Sequence, residues 1–190
     1  MAPPSRINAV LDACVLYPAP IRDLLLSFAE VGLLKPFWSD KINEEWVRNL
    51  LRNREDLSLA KLQSTVRAMN AAFPDANVEE NGNLIYSLLL PDHNDRHVLA
   101  TAIQSESSMI VTANLKDFPE AELRPYAIIA ISPDNFISSL IRNNKLLAFS
   151  AFENQVRRLQ NPILNNLQVL ETFHKLGLRI TRSLLLEINK

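Results

Sequence analysis

The sequence predicts an α/β protein in which helices cover both faces of a parallel sheet, followed by a small helical region. Short continuous apolar runs alternate with amphipathic helical segments through about residue 144, and this pattern is typical of buried parallel strands. From about residue 147 onward only helical segments are expected. We therefore predict one domain over residues 1–145 and a helical extension over residues 146–190. A chain of 190 residues with 47% hydrophobic content is long enough to bury a core.

Each predicted element is bounded by residues that start or stop regular structure. Pro18 and Pro20 suit the first turn of a helix, and Gly32 suits its end. Ser39 or Asp40 can cap the next helix. Apolar residues at 3.6-residue spacing indicate further helices, and continuous apolar runs indicate strands. The predicted strands are 7–11, 37–38, 109–113 and 126–131, and the predicted helices are 21–33, 40–52, 58–73, 95–106, 132–144, 150–160, 162–176 and 181–188.

Composition excludes several classes of protein. The three glycines are too far apart for a phosphate-binding loop or a dinucleotide fingerprint. One cysteine, Cys14, cannot form an internal disulfide, which favours a reducing compartment. Pro3 and Pro4 interrupt the N-terminus, no basic-then-apolar leader follows, and no apolar run approaches the roughly 20 residues of a membrane span. We therefore expect a cytoplasmic protein that does not enter a membrane.

Charge is unevenly distributed along the chain. Residues 139–190 carry eight Lys or Arg and three Glu, a net charge of +5, whereas the whole chain has a net charge of −1. An acidic body with a basic tail would suit a metal site beside a phosphate-binding surface. A solvated basic helical face is the simpler explanation of the tail.

Acidic side chains cluster where predicted strands end and a helix begins. Asp12 directly follows the first strand, and Asn114 and Asp117 follow the strand at 109–113. Ligands of parallel α/β sheets bind at this carboxyl edge. Asp92 and Asp95 open the helix at 95–106, and either could instead be a helix cap. Asp12 could be a cap and Asp117 a turn residue, so the sequence leaves both functional and structural explanations open.

A further candidate acid lies on the helix KINEEWVRNLL. At about 100° per residue, Glu45 falls nearer the apolar stripe of this helix than Glu44 does, so Glu45 can turn inward. Simple surface charge is the alternative. Carboxylates that meet raise one another's pKa unless a cation joins them, and oxygen ligands favour Mg²⁺ or Mn²⁺. Such a site needs neither His93 nor His97.

Taken in order, these segments resemble the motifs of PIN-domain proteins, and more narrowly of VapC-type ribonuclease toxins. The matching segments are NAVLDACVLYP, NEEWVRNLL, DHNDRHVLATA and IVTANLKDFP, within about residues 5–138. The basic helical tail resembles the C-terminal extension found in one branch of these toxins. The resemblance implies a PIN-like three-layer α/β/α sandwich with a central parallel sheet, plus a small C-terminal helical subdomain.

The resemblance also implies an activity and a set of site residues. It implies a Mg²⁺- or Mn²⁺-dependent endoribonuclease with Asp12, Glu45 and Asp95 as metal-binding acids. Asn114 stands where many family members have Asp, so Asn114 and Asp117 compete for the fourth metal position. Asp117 is also the candidate to orient or deprotonate the water, which makes Asp12, Glu45, Asp95 and Asp117 the predicted catalytic residues.

Partners follow from the same resemblance. The expected substrate is RNA, whether tRNA, rRNA or mRNA, with the backbone held by basic groups such as Arg96, Lys116, Arg157 and Arg158. A cognate VapB-like antitoxin and a homodimer are also expected. The alternative function is a non-catalytic PIN-like module that binds RNA or protein through a degenerate acidic site. An aspartyl-phosphate hydrolase is disfavoured because no second aspartate stands two residues after Asp12.

Overall fold

Four strands form one sheet in the order β2-β1-β3-β4. The structure is a computed structural model, and it describes residues 6–188. Strands β1 and β3 pair in parallel with Ala9 opposite Met109, and β3 and β4 pair in parallel with Ile110 opposite Ala130. The predicted parallel sheet is therefore confirmed. The strands are β1 (Ile7–Leu11), β2 (Leu34–Phe37), β3 (Met109–Val111) and β4 (Ile129–Ile131).

Helices connect the strands and make up the C-terminal region. Within residues 6–188 they are α1 (Ala13–Leu16), α2 (Ala19–Glu30), α3 (Asp40–Asn53), α4 (Leu59–Ala72), α5 (Gly82–Ser87), α6 (Arg96–Gln104), α7 (Glu120–Leu123), α8 (Pro133–Asn143), α9 (Lys145–Arg158), α10 (Asn166–Lys175) and α11 (Arg179–Ile188).

In the part of the chain that the structure describes, no helix is both long enough and apolar enough to cross a membrane. The two prolines at positions 3 and 4, on which the prediction of no leader rested, lie outside the described residues.

Several predicted boundaries were wrong. The second strand occupies 34–37 rather than 37–38, and Trp38 instead forms an isolated bridge with Asn77. The last strand is only three residues long, because 124–126 form a 3-10 turn and Ala127 adopts a left-handed conformation at φ 56°. The short helices α1, α5 and α7 were not predicted, since a stretch of four to six residues gives little periodic signal.

One of the two compact units contains β1, β3, β4, most of β2 and the helices beside the carboxyl edge. This unit consists of Ile7–Tyr17 and Lys35–Ile131. Its core includes Val10 and Ile110, which are fully buried as expected for central parallel strands, and Trp46 of α3, which is also fully buried. Helix α3 packs on α1 and α6, and α6 packs on β1 and β3.

The other unit is helical and comprises, among described residues, Arg6, Pro18–Leu34 and 132–188. Helix α2 packs against α9, and α8 packs against α11. The carboxylate of Asp134 accepts hydrogen bonds from the amides of Ile180 and Thr181, at 2.9 and 2.8 Å, at the start of α11. A negative charge at this end of a helix is stabilising. The division into domains at residue 145 stays a prediction.

Candidate metal centre

Asp12 lies where the first strand meets the carboxyl edge of the sheet. Its backbone amide donates to the carbonyl of Val111 at 3.1 Å, so the strand pairing continues up to this residue. The residue is 5% exposed, and its Oδ1 accepts a hydrogen bond from the Ala13 amide at 2.6 Å. Asp12 therefore caps the short helix α1, which is the structural role that the sequence left open for it. This hydrogen bond uses only one of its carboxylate oxygens.

The second oxygen of Asp12 is held by one side chain from α1 and one from the end of β3. Its Oδ2 accepts from the Thr112 hydroxyl at 2.7 Å and from the Cys14 thiol at 3.1 Å. The Ala113 amide donates to Cys14 Sγ at 3.2 Å. Burial raises the pKa of Asp12, while these hydrogen bonds act to lower it. The network ties Asp12 to the loop after β3 and fixes the direction of its carboxylate.

Asp95 and Asp92 have different local roles at the start of α6. The Asp92 side chain accepts from the Asn94 amide at 2.8 Å and so caps the 3-10 turn that precedes the helix. Asp95 occupies the N-cap position of α6, but its side chain makes no capping hydrogen bond. Capping therefore explains the presence of an aspartate at position 92. Capping does not explain Asp95, whose half-buried carboxylate faces the cleft.

The electrostatic environment of Asp95 shows which acids lie near it. Burial, followed by the negative charges of Asp12, Asp92, Asp117 and Glu45, raises the pKa of Asp95 to about 6. These carboxylates come from four separate stretches of the chain, and the fold places each of them near enough to raise the pKa of Asp95.

Glu45 turns inward on α3, whereas its neighbour Glu44 is exposed. The Glu45 side chain is 32% exposed, and its Oε2 lies 3.5 Å from Nε2 of His97. His97 itself is buried. The sequence indicated that the site needs no histidine, and the fold nevertheless places the His97 side chain in direct contact with a candidate acid.

Asn114 and Asp117 both lie in the loop after β3 and line the same cleft. The Asn114 amide donates to the Thr112 hydroxyl at 3.0 Å, and the Asp117 amide donates to the Asn114 carbonyl at 3.0 Å. The Asn114 side chain is exposed and Asp117 is half-buried. The negative charge of Asp117 helps to raise the pKa of Asp95, whereas the Asn114 side chain is neutral. This difference favours Asp117 as the fourth acid.

Of the candidate acids, Glu45, Asp95 and Asp117 line a cleft of about 850 Å³, whereas buried Asp12 is not among its lining residues. Among the described residues, eight acids line it: Asp40, Glu44, Glu45, Glu79, Glu80, Asp92, Asp95 and Asp117. Two cations, Lys41 and Arg48, also line it, and sequence reasoning missed both. They stand seven residues apart on α3, two helical turns, on the face that carries Glu45. That spacing was the signal that could have identified them.

The basic residues chosen from the sequence are placed differently. Arg96 and Lys116 do not line the cleft, and the Nε atom of Arg96 is buried without a partner in the described part of the chain. Arg158 pairs with Glu30 at 2.8 Å in the helical unit, and Arg157 is exposed there.

The chemistry of the donors fits a hard divalent cation. The candidates are carboxylates and one amide, the ligands that Mg²⁺ and Mn²⁺ prefer. In the described residues no Lys, Arg or His forms an ion pair with Asp12, Asp95 or Asp117. Their mutual repulsion is therefore not offset by an ion pair with any of these residues. A cation would relieve it.

The acids do not converge as a closed cage. Among residues 6–188, no group of three or more His, Cys, Asp or Glu side chains is arranged so that it could hold a metal ion. Mg²⁺ commonly keeps several waters and binds through only one or two carboxylates, rather than through an all-protein cage. The wide acidic cleft agrees with that mode of binding.

Together, a parallel sheet and an acidic cleft at its carboxyl edge define an α/β protein with a candidate site for a hard cation. The chain matches the family model described as PIN domain over residues 8–116, which is more than half of its length. It also matches the model described as VapC50 C-terminal domain over residues 133–187. This chain belongs to the PIN-domain family, and its C-terminal part is similar to the C-terminal domain of VapC50. The predicted family and α/β fold class are thereby confirmed.

One curated relative is similar over a short segment. It is named "Putative ribonuclease VapC50", from Mycobacterium tuberculosis (strain ATCC 25618 / H37Rv), and is 51% identical over 45 residues. The matched segment is 24% of this chain and 27% of that protein, so the similarity spans about a quarter of each. No solved structure matches this chain significantly.

Proposed function

We propose that this protein is a Mg²⁺- or Mn²⁺-dependent endoribonuclease and the toxin of a toxin–antitoxin pair. The observation that carries the proposal is the position of Asp95, whose carboxylate is half-buried, makes no capping bond and is surrounded by other carboxylates. A protein gains nothing in stability from this repulsion. The arrangement is useful if a cation binds there. PIN-domain membership and the ribonuclease name of the relative support the choice of reaction.

We assign Asp12, Asp95 and Glu45 to holding the cation, with Asp117 at the fourth position and Asn114 beside it. A bound Mg²⁺ or Mn²⁺ would polarise a phosphodiester oxygen and lower the pKa of its bound water. Asp12 is fixed by Thr112 and Cys14, so it offers a preset oxygen. Asp117 is more accessible, which suits it to orient the attacking water and to accept its proton.

Lys41 and Arg48 are the proposed contacts to the RNA backbone. Neither side chain makes an ion pair or hydrogen bond within residues 6–188, although both stand three or four positions from Glu44 and Glu45 on α3. Unpaired cations beside the acidic centre can bind the phosphates on either side of the scissile one. Such contacts position a substrate without reading its sequence.

The proposal extends to protein partners. A VapB-like antitoxin is the proposed inhibitor, because the cleft is lined mainly by carboxylates and complements a positively charged segment. A homodimer is proposed from the family alone.

The decisive experiment is cleavage of structured RNA by the purified full chain with Mn²⁺, with Mg²⁺ and with EDTA. We expect cleavage with either cation and none with EDTA. Asp95→Asn should abolish cleavage. Asp92→Asn is the matched variant, because it removes a charge three residues away and asparagine keeps the capping function. We expect Asp92→Asn to cleave RNA within a few-fold of the wild-type rate. Normal cleavage by Asp95→Asn would refute the assignment of the centre.

The non-catalytic alternative has one observation in its favour, the lack of a closed ligand group among the described residues. A binding module with a degenerate site would bind RNA equally well with EDTA and would not cleave it with Mn²⁺. The same cleavage and binding assays therefore separate the two functions.

A further inference from the structure

His97 is a buried polar side chain that the proposed chemistry leaves without a task. Its side chain is 1% exposed, on α6 two residues after Asp95. The Nε2 atom lies 3.5 Å from Oε2 of Glu45. The Nδ1 atom is buried and has no hydrogen-bond partner in the described part of the chain. The Glu45 contact is the only polar contact of this imidazole among the described residues.

A histidine in this position is poorly explained by packing. Burying a polar nitrogen without a partner costs free energy, whereas an apolar side chain of similar size would fill the same space without that cost. The three residues that follow His97 on α6, Val98, Leu99 and Ala100, are buried and apolar. The polar contact with Glu45 is the feature that an apolar replacement would lose.

We propose that His97 is a positioning residue that holds the carboxylate of Glu45 toward the cleft. This inference rests on the proposed function. Glu45 has a long side chain on a surface helix, and its rotamers are restricted by contact with a rigid, buried ring. Helix α6 thus supplies Asp95 directly and orients Glu45 on α3 through His97. Outer partners of metal ligands commonly change metal affinity by about 10- to 100-fold when they are removed.

The test is calorimetric titration of Mn²⁺ into the full chain. His97→Phe keeps a buried ring and removes the contact, and we expect Mn²⁺ affinity to fall by about 10-fold or more. His97→Gln keeps an amide donor and should restore part of that loss. In a Glu45→Gln background, His97→Phe should cause no further loss, because the carboxylate that it positions is already absent.

Thr101→Val is the matched control. Thr101 is buried on the same helix, one turn beyond His97, and its hydroxyl donates to the His97 carbonyl at 2.8 Å. The control can lower the melting temperature, and Mn²⁺ affinity should be unchanged. If His97→Phe does not fold, His97→Leu makes the same comparison with a smaller residue that favours helices.

Two results would overturn the inference alone. One is wild-type Mn²⁺ affinity in the His97→Phe protein, and the other is an equal loss with and without the Glu45 carboxylate. Absence of any Mn²⁺ binding by the wild-type protein would overturn the proposed metal centre and this inference with it. The titration therefore distinguishes a failure of His97 from a failure of the proposed function.

Discussion

Replacing Asp95 by asparagine should stabilise the metal-free protein above pH 6. The substitution removes a charge that the surrounding carboxylates repel, and it sacrifices no capping bond because Asp95 makes none. The pKa of Asp95 rises from 3.8 to about 6 in the folded protein. At about 1.4 kcal/mol per pKa unit, this difference amounts to roughly 3 kcal/mol. Solvent screens a half-exposed group, so we expect a gain of about 1–2 kcal/mol.

The gain should depend on pH in a defined direction. In the unfolded chain Asp95 ionises near its ordinary value of 3.8, whereas in the folded protein it keeps its proton up to about 6. Between these values the folded state binds more protons, so the Asp95 contribution to stability falls as pH rises. Below pH 4 the wild-type and Asp95→Asn proteins should unfold with the same free energy. Above pH 6 the difference should reach its maximum and stay constant.

Urea unfolding in EDTA, at pH values from 4 to 8, measures this difference. A gain of 1 kcal/mol corresponds to a shift of about 2–4 °C in the melting temperature of a chain of this size. Adding Mn²⁺ should reverse the order, since a ligand that binds only the folded wild-type protein stabilises it by mass action. If Asp95→Asn is less stable than wild type at pH 7.5 without metal, the acids do not repel one another as argued.

Three other changes test separate parts of the structure. Combined Lys41→Gln and Arg48→Gln substitutions should weaken RNA binding and reduce the slope of the logarithm of the RNA-binding constant against the logarithm of the salt concentration by about 1–2. An unchanged slope would show that neither residue contacts phosphate. Thr112→Val should cost about 1–2 kcal/mol of stability, measured by urea unfolding, and should weaken Mn²⁺ binding, because it removes the 2.7 Å hydrogen bond to buried Asp12. Asp134→Ala should lower the free energy of unfolding by about 1–2 kcal/mol through loss of two amide hydrogen bonds, and unchanged unfolding would show that solvent replaces them.

The elements that sequence analysis predicted well have strong local signals. The strand at 7–11 and the strand predicted at 109–113, which ends at Val111, are continuous apolar runs. Ser39 and Ser132 cap their helices by accepting a hydrogen bond from the backbone amide three residues on. Propensity, periodicity and capping act over a few residues, so a single sequence carries them. The boundaries that were wrong, such as the strand expected at 126–131, lie where neighbouring turns override an apolar run.

The sequence by itself determined which acids follow strands and open helices, and in what order the motifs occur. Local sequence left a capping role open for both Asp92 and Asp95, because aspartate is a favoured cap at either position, and the family resemblance favoured Asp95 as the metal-binding acid. Only the tertiary structure gave the capping bond to Asp92 and surrounded Asp95 with charge. The bond from Thr112 to Asp12 joins residues 100 positions apart, and the contact of His97 with Glu45 joins two helices. Contacts of this kind depend on packing between distant segments, which leaves no pattern in the local sequence.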